Sequence, residues 1–177
     1  KRQRGRGTLV LSTEASPAFV QMVRSPSELF SYPDSSIFRM LSDERIAADK
    51  PLARELGCQV GDQWVQISGL RTLGDEGMPI CLADVYVIPE YGSIAQRLGG
   101  SSRPVYEMIA ETFKESIENI AIRLTAGVLS QQKAEVLDVE PGSPSLSVSR
   151  FYQGRGGRIF EASISEHPAS NFSYNFE

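Results

Sequence analysis

The sequence predicts an α+β fold, an antiparallel sheet flanked by helices. Two observations carry the prediction. Two pairs of apolar-rich segments are each joined by a short Gly-rich turn, and stretches of helical periodicity lie between them. Size agrees: 177 residues with 41% hydrophobic and 23% charged content can build one ordinary core.

The elements follow in chain order. Residues 8–11 form a short apolar run, read as an entering strand. Ser25-Pro26-Ser27-Glu28 has the pattern of a helix start, with a hydroxyl N-cap, Pro in the first turn and an acid three residues on. That helix must stop before Pro33. Residues 50–56 predict a second helix, closed by Gly57 as its C-cap. Segments 64–73 and 78–88 read as a hairpin turning at Gly74-Asp75-Glu76-Gly77. Pro104 opens a helix over 104–113 whose Val105, Ile109, Ala110 and Phe113 share one apolar face. A long strand is expected over 117–130 with Ile120, Ile122 and Leu124 on one side, then a short helix over 131–137. Glu140-Pro141-Gly142 is a turn. Segments 146–153 and 158–166 make a second hairpin across Gly154-Arg155-Gly156-Gly157.

Charge divides unevenly along the chain. Lys1, Arg2, Arg4 and Arg6 lie in the first six residues, and the rest carries 14 basic against 22 acidic residues, a net charge of −8. Such a body repels phosphate backbones and is not expected to bind nucleic acid unaided. Cys58 and Cys81 are the only cysteines and His167 the only histidine, with neither a disulfide framework nor zinc-like spacing. No metal or cofactor is expected. Two free thiols suit a reducing cytoplasm. No run of about 18 apolar residues or secretory pattern occurs, so no membrane partner is expected.

Strand alternation marks candidate site residues. In 158–167, Phe160, Ala162 and Ile164 point one way, and Glu161, Ser163, Ser165 and His167 the other. That polar face is either solvated surface or the wall of a site. Asp84 interrupts the apolar run 80–88, and a buried carboxylate needs a partner or a ligand. Arg71, on the neighbouring strand, is one candidate partner. Tyr106 is either a core tyrosine or a site residue. Arg150, on a face with Leu146 and Val148, reads best as structural, holding the sheet through carboxylate contacts.

A series of short motifs extends this reading. Gly69-Leu70-Arg71, Met78-Pro79-Ile80 and Tyr86-Val87 come first, then Pro104-Val105-Tyr106-Glu107. Next stands Ala134-x-x-Leu137-x-Val139-x-x-Gly142-x-Pro144-x-Leu146-x-Val148-x-Arg150, and last Gly157-Arg158-x-x-Glu161. In this order they resemble the UTRA domain, the effector-binding module of the HutC subfamily of GntR-type regulators, from about Ser25 to Phe176. Arg4-Gly5-Arg6-Gly7-Thr8-Leu9-Val10 resembles the end of the winged-helix domain that precedes it in such regulators. The resemblance implies a chorismate lyase-like fold, with residues 1–13 as wing and linker and 14–177 as the UTRA domain. It implies a homodimer whose small-molecule effector modulates operator DNA binding by the N-terminal domain. It also implies that Arg71, Asp84, Tyr106, Glu161 and His167 line the effector pocket.

The departures point to a ligand class. Members of the family that sense sugar phosphates carry Arg at the position of Gly69 and a hydroxyl residue at that of Pro104. Without these, a phosphate site is weakened, and a small carboxylated or zwitterionic metabolite is expected. The chain is not expected to be an enzyme, since no nucleophile elbow, phosphate loop or metal cluster is present. Two alternatives stand beside this reading. One is a chorismate lyase-like enzyme, with His167 paired to Glu161 or Asp84 as acid and base. The other is a dimerisation module without a ligand.

Overall fold

The computed structural model describes residues 19–23, 32, 35–73 and 77–176. The expected strand at 8–11, the helix starting at Ser25, the turn residues 74–76 and the basic head lie outside the described residues. The elements run β1 (Phe19–Val23), β2 (Ser36–Ala47), α1 (Lys50–Leu56), β3 (Gln63–Leu73) and β4 (Pro79–Val87). A 3-10 helix (Pro89–Arg97) leads to α2 (Val105–Phe113), β5 (Asn119–Val128), α3 (Gln131–Val136), β6 (Pro144–Gln153), β7 (Ile159–Pro168) and β8 (Phe172–Phe176).

Six strands form an antiparallel sheet in the order β2-β3-β4-β7-β6-β5, and β1 pairs in parallel with β8 as a separate two-stranded sheet. Both expected hairpins, β3–β4 and β6–β7, are present, and β4 and β7 bring them together at the centre. The α+β class is thus as expected.

Local chemistry explains the helices. Asp49 caps α1 by accepting from the Leu52 N–H at 2.8 Å, and Gly57 ends it at φ 68°, a left-handed value that glycine adopts without strain. Pro104 stands one residue earlier than expected, at the N-cap of α2 with ψ 144°. The proline ring fixes φ but leaves ψ free to be extended there.

Four elements escape the sequence pattern, β1 among them. In β2 a bulge between Met40 and Ser42 shifts the register and breaks the alternation, and the second half is largely exposed and charged. The 3-10 helix after Pro89 is too tight to show a 3.6 period. Among the described residues, short β8 pairs with β1 alone.

Helices cover both faces of the sheet. Glu55 of α1 accepts from Ser149 at 3.1 Å, and α3 packs Ala134 near Leu70 and Leu82, so these helices share one face. On the other face α2 stacks Tyr106 on Tyr152, with ring centres 4.5 Å apart. Residues 161, 163, 165 and 167 of β7 point to this second face. All four are buried, so the polar side of β7 is an interior wall.

Candidate ligand-binding site

Cross-strand register assembles a polar floor on the α2 side of the sheet. Arg71 of β3 lies opposite Phe38 and Cys81, Ser163 lies opposite Val85 and Arg150, and Glu161 lies opposite Val87 and Tyr152. These strands, Tyr32, and Pro104, Val105 and Tyr106 from the start of α2 enclose a cavity of about 40 Å³ lined by Arg71, Arg150, Glu161, Ser163 and Ser165. That is room for a few waters.

Charge is concentrated here and dehydrated. Arg71, Arg150 and Glu161 are 6%, 3% and 2% exposed, where unpaired charge is costly. Arg71 Nη1 donates to Ser36 Oγ at 3.0 Å, and its guanidinium lies 4.3 Å from the centre of the Tyr32 ring. Arg150 Nη2 donates to the Tyr174 hydroxyl at 2.9 Å, and its guanidinium lies 5.5 Å from the same ring. Glu161 differs: its Oε2 is buried and meets no hydrogen-bond donor among the described residues. Burial holds this carboxyl well above the usual carboxylate range. Burial likewise raises the Tyr106 and Tyr152 phenols, keeping both protonated.

At the other end of the cavity the Tyr32 hydroxyl lies 3.2 Å from His167 Nε2 and 3.5 Å from Cys81 Sγ. His167 is fully buried and stacks on Phe172 with ring centres 3.9 Å apart. Burial, and then the nearby Arg150 charge, push its pKa down to about 3.

The five sequence-derived candidates separate. Arg71, Tyr106 and Glu161 line one cavity. His167 stands at its edge, behind Tyr32. Asp84 is a correction. It pairs with Ser68 and Ile164, on the opposite face of the sheet from Arg71, and accepts from Gln66 Nε2 at 3.1 Å and from Ser68 Oγ. The expected Asp84–Arg71 pairing fails because residues 68 and 71 differ by an odd number along one strand and so point to opposite faces. Arg150, read from the sequence as structural, also lines the cavity, with Tyr32, Tyr152 and Tyr174 near its guanidinium. Tyr32, Phe38 and Tyr152 were missed. Tyr152 alternates with Arg150 and was legible from it, whereas Tyr32 and Phe38 sit in segments without a readable period.

Gly69 has a visible reason. A Cβ there would overlap the Phe38 ring, which covers the glycine and shields the floor beside Arg71.

The family model of the UTRA domain matches residues 34–173. The chain belongs to the UTRA domain family. Its UTRA fold, a chorismate lyase-like α+β arrangement, is shared with solved structures. The C-terminal domain of PhnF aligns with TM-score 0.72 and 21% identity, over 94% of this chain and 99% of that one. The effector domain of PhnF from Mycobacterium smegmatis gives 0.67 and 15%, over 81% and 86%. A GntR-family transcriptional regulator from Bacillus cereus gives 0.66 and 17%, over 80% and 96%. No curated protein matches the chain. UTRA domains are ligand-binding regulatory domains, and in this one the buried side chains of Arg71, Arg150 and Glu161 line one cavity on the sheet. No helix among the described residues is long and apolar enough to cross a membrane.

Proposed function

We propose that this chain is the ligand-sensing and dimerisation domain of a GntR-type transcription repressor of the HutC subfamily, binding a small carboxylated or zwitterionic metabolite. The observation that carries the reading is the buried Oε2 of Glu161, which meets no donor among the described residues, in one cavity with two buried guanidinium groups. An interior acid without a partner is costly, and a ligand that donates to it recovers that cost. Arg71 and Arg150 suit a carboxylate, Glu161 an amino or hydroxyl group, and Tyr106 adds an aromatic wall. The Phe38 ring over Gly69 and the hydroxyl-free Pro104 fit the preference against a phosphate.

The route of control runs through the second sheet. Phe172 stacks on His167, and Tyr174 accepts from Arg150, so β8 rests on the cavity floor and carries β1 with it. A ligand that moves Arg150 or His167 shifts β8 and β1, and with them the approach of an N-terminal DNA-binding domain. Dimerisation has a candidate edge in β5, where Leu124 and Val128 are 43% and 70% exposed. The enzyme reading suffers from the chemistry of its base. A histidine held down to about 3 is a weak proton acceptor at neutral pH.

The test is a thermal-shift screen against sugar phosphates, amino acids and small carboxylic acids. A ligand at about 100 times its Kd adds about 2.7 kcal/mol. The reading predicts stabilisation by amino acids or carboxylic acids, abolished by Arg71→Ala and by Glu161→Ala. Saturable stabilisation by a hexose phosphate defeats the ligand class, and a library-wide absence of shift favours a ligand-free dimerisation module.

A further inference from the structure

A cavity of about 40 Å³ is far below the roughly 300–1,000 Å³ that small-molecule sites enclose, yet it holds the most expensive side chains in the domain. One lining residue stands apart from the rest. Tyr32 belongs neither to the sheet nor to α2, and it reaches the floor from a position four residues before β2. Its ring face lies over the Arg71 guanidinium at 4.3 Å and within 5.5 Å of Arg150, and its hydroxyl reaches His167 and Cys81 on the sheet. Those contacts are what a bound aromatic ligand would make: a π-face for a cation and a polar edge for an acceptor.

We propose that the Tyr32 phenol is an internal occupant of the effector cavity, which the effector displaces, and that the effector carries a flat unsaturated ring with a polar atom on its edge. The ring takes Tyr32's place between Arg71 and His167. A donor group at the far end reaches Glu161. Glu161 and Ser165 are four residues apart on β7, roughly 13 Å at about 3.3 Å per residue, which sets the scale of the ligand. The population with Tyr32 seated lowers apparent effector affinity by the fraction it occupies.

The inference rests on the ligand-sensing reading of this cavity, but its test uses no effector, so an empty effector screen and an immovable Tyr32 are separate results. The probe is p-cresol, the side-chain analogue of tyrosine, with 4-methylcyclohexanol as a non-planar control. In Tyr32→Ala, p-cresol raises the melting temperature saturably while leaving the wild type unchanged, and 4-methylcyclohexanol does neither. No shift in Tyr32→Ala, an equal shift in the wild type, or equal shifts from both compounds overturns the proposal.

A second measurement separates a displaceable occupant from an ordinary core residue and holds if Tyr32→Ala fails to fold. In a Cys58→Ser background Cys81 is the only thiol, and it is fully buried beside the Tyr32 hydroxyl. Native-state labelling of Cys81 with a thiol reagent is expected to proceed by local opening, insensitive to low denaturant. Tyr32→Phe, which loses the contacts to His167 and Cys81, is expected to speed it at least tenfold. Labelling in the wild type that shares the denaturant dependence of global unfolding shows Tyr32 locked in the core and overturns the proposal.

Discussion

The hydroxyl of Tyr32 and Nε2 of His167 lie 3.2 Å apart, while Nδ1 of the same imidazole lies 3.2 Å from the Leu146 carbonyl oxygen. A carbonyl only accepts, so Nδ1 carries the proton, and the neutral ring takes the Tyr32 proton donor at Nε2. The Tyr32 contact therefore fits the neutral histidine that burial and Arg150 enforce.

A pH dependence follows. His167 has a folded pKa lowered to about 3 from an ordinary 6.5. The unfolded chain then binds more protons than the folded one between these values. Stability from this residue is complete above about 6.5 and is lost as pH falls toward 3, at up to about 1.4 kcal/mol per pH unit. Urea unfolding between pH 4 and 7 should give a positive slope that is reduced in His167→Gln. An unchanged slope in the variant would place the titration elsewhere.

Glu161 has the opposite sign. Its folded pKa is raised well above the ordinary 4.5, so the folded chain holds the proton that the unfolded chain releases. The associated stability is present below about 4.5 and is lost as pH rises toward the folded value. Glu161→Gln should therefore exceed the wild type in stability at pH 8. The two should converge near pH 4. A variant less stable than the wild type at pH 8 would mean that the carboxylate is ionised and paired in solution.

These side chains also show how far the sequence could be read. The hairpins carried their own turns and alternation, so β3, β4, β6 and β7 were legible, and with them the positions of Arg71 and Glu161. Periodicity reports which residues share a face, but not what covers that face. The polar side of β7 could equally have been solvated, and it is α2, Tyr32 and Phe172 packed against it that make an interior. Asp84 looked like a site residue because its strand is apolar. Counting parity against Arg71 would already have separated them. Tyr32 had no signal, because a single aromatic ahead of an irregular edge strand belongs to no repeat.

Gly69 offers a packing prediction. The Phe38 ring lies against its Cα, so Gly69→Ala must displace that ring from beside Arg71. Overpacking of this kind costs about 1–3 kcal/mol. Phe38→Leu alone should be mildly destabilising, and adding it to Gly69→Ala should recover part of the loss, giving a non-additive cycle in denaturant titrations. Strict additivity would mean that the backbone, not Phe38, accommodates the methyl group.

The last prediction concerns the small parallel sheet. β8 is tied to the main body by Phe172, stacked on His167 at 3.9 Å and edge-on to Tyr174 at 5.0 Å, and by the Tyr174 bond to Arg150. Among the described residues β1 is paired with β8 alone. A two-stranded sheet is marginal by itself, so its stability depends on those aromatic contacts. Phe172→Leu keeps apolar bulk but loses the stack, worth about 0.5–1.5 kcal/mol. Hydrogen exchange should then quicken at amides of β1 and β8, while those of β6 and β7 keep their protection. Such selectivity would identify β1 and β8 as one cooperative unit seated on the cavity floor. Uniform quickening across the six-stranded sheet would mean that β8 has no independent motion, and the proposed route from the cavity to β1 would fail.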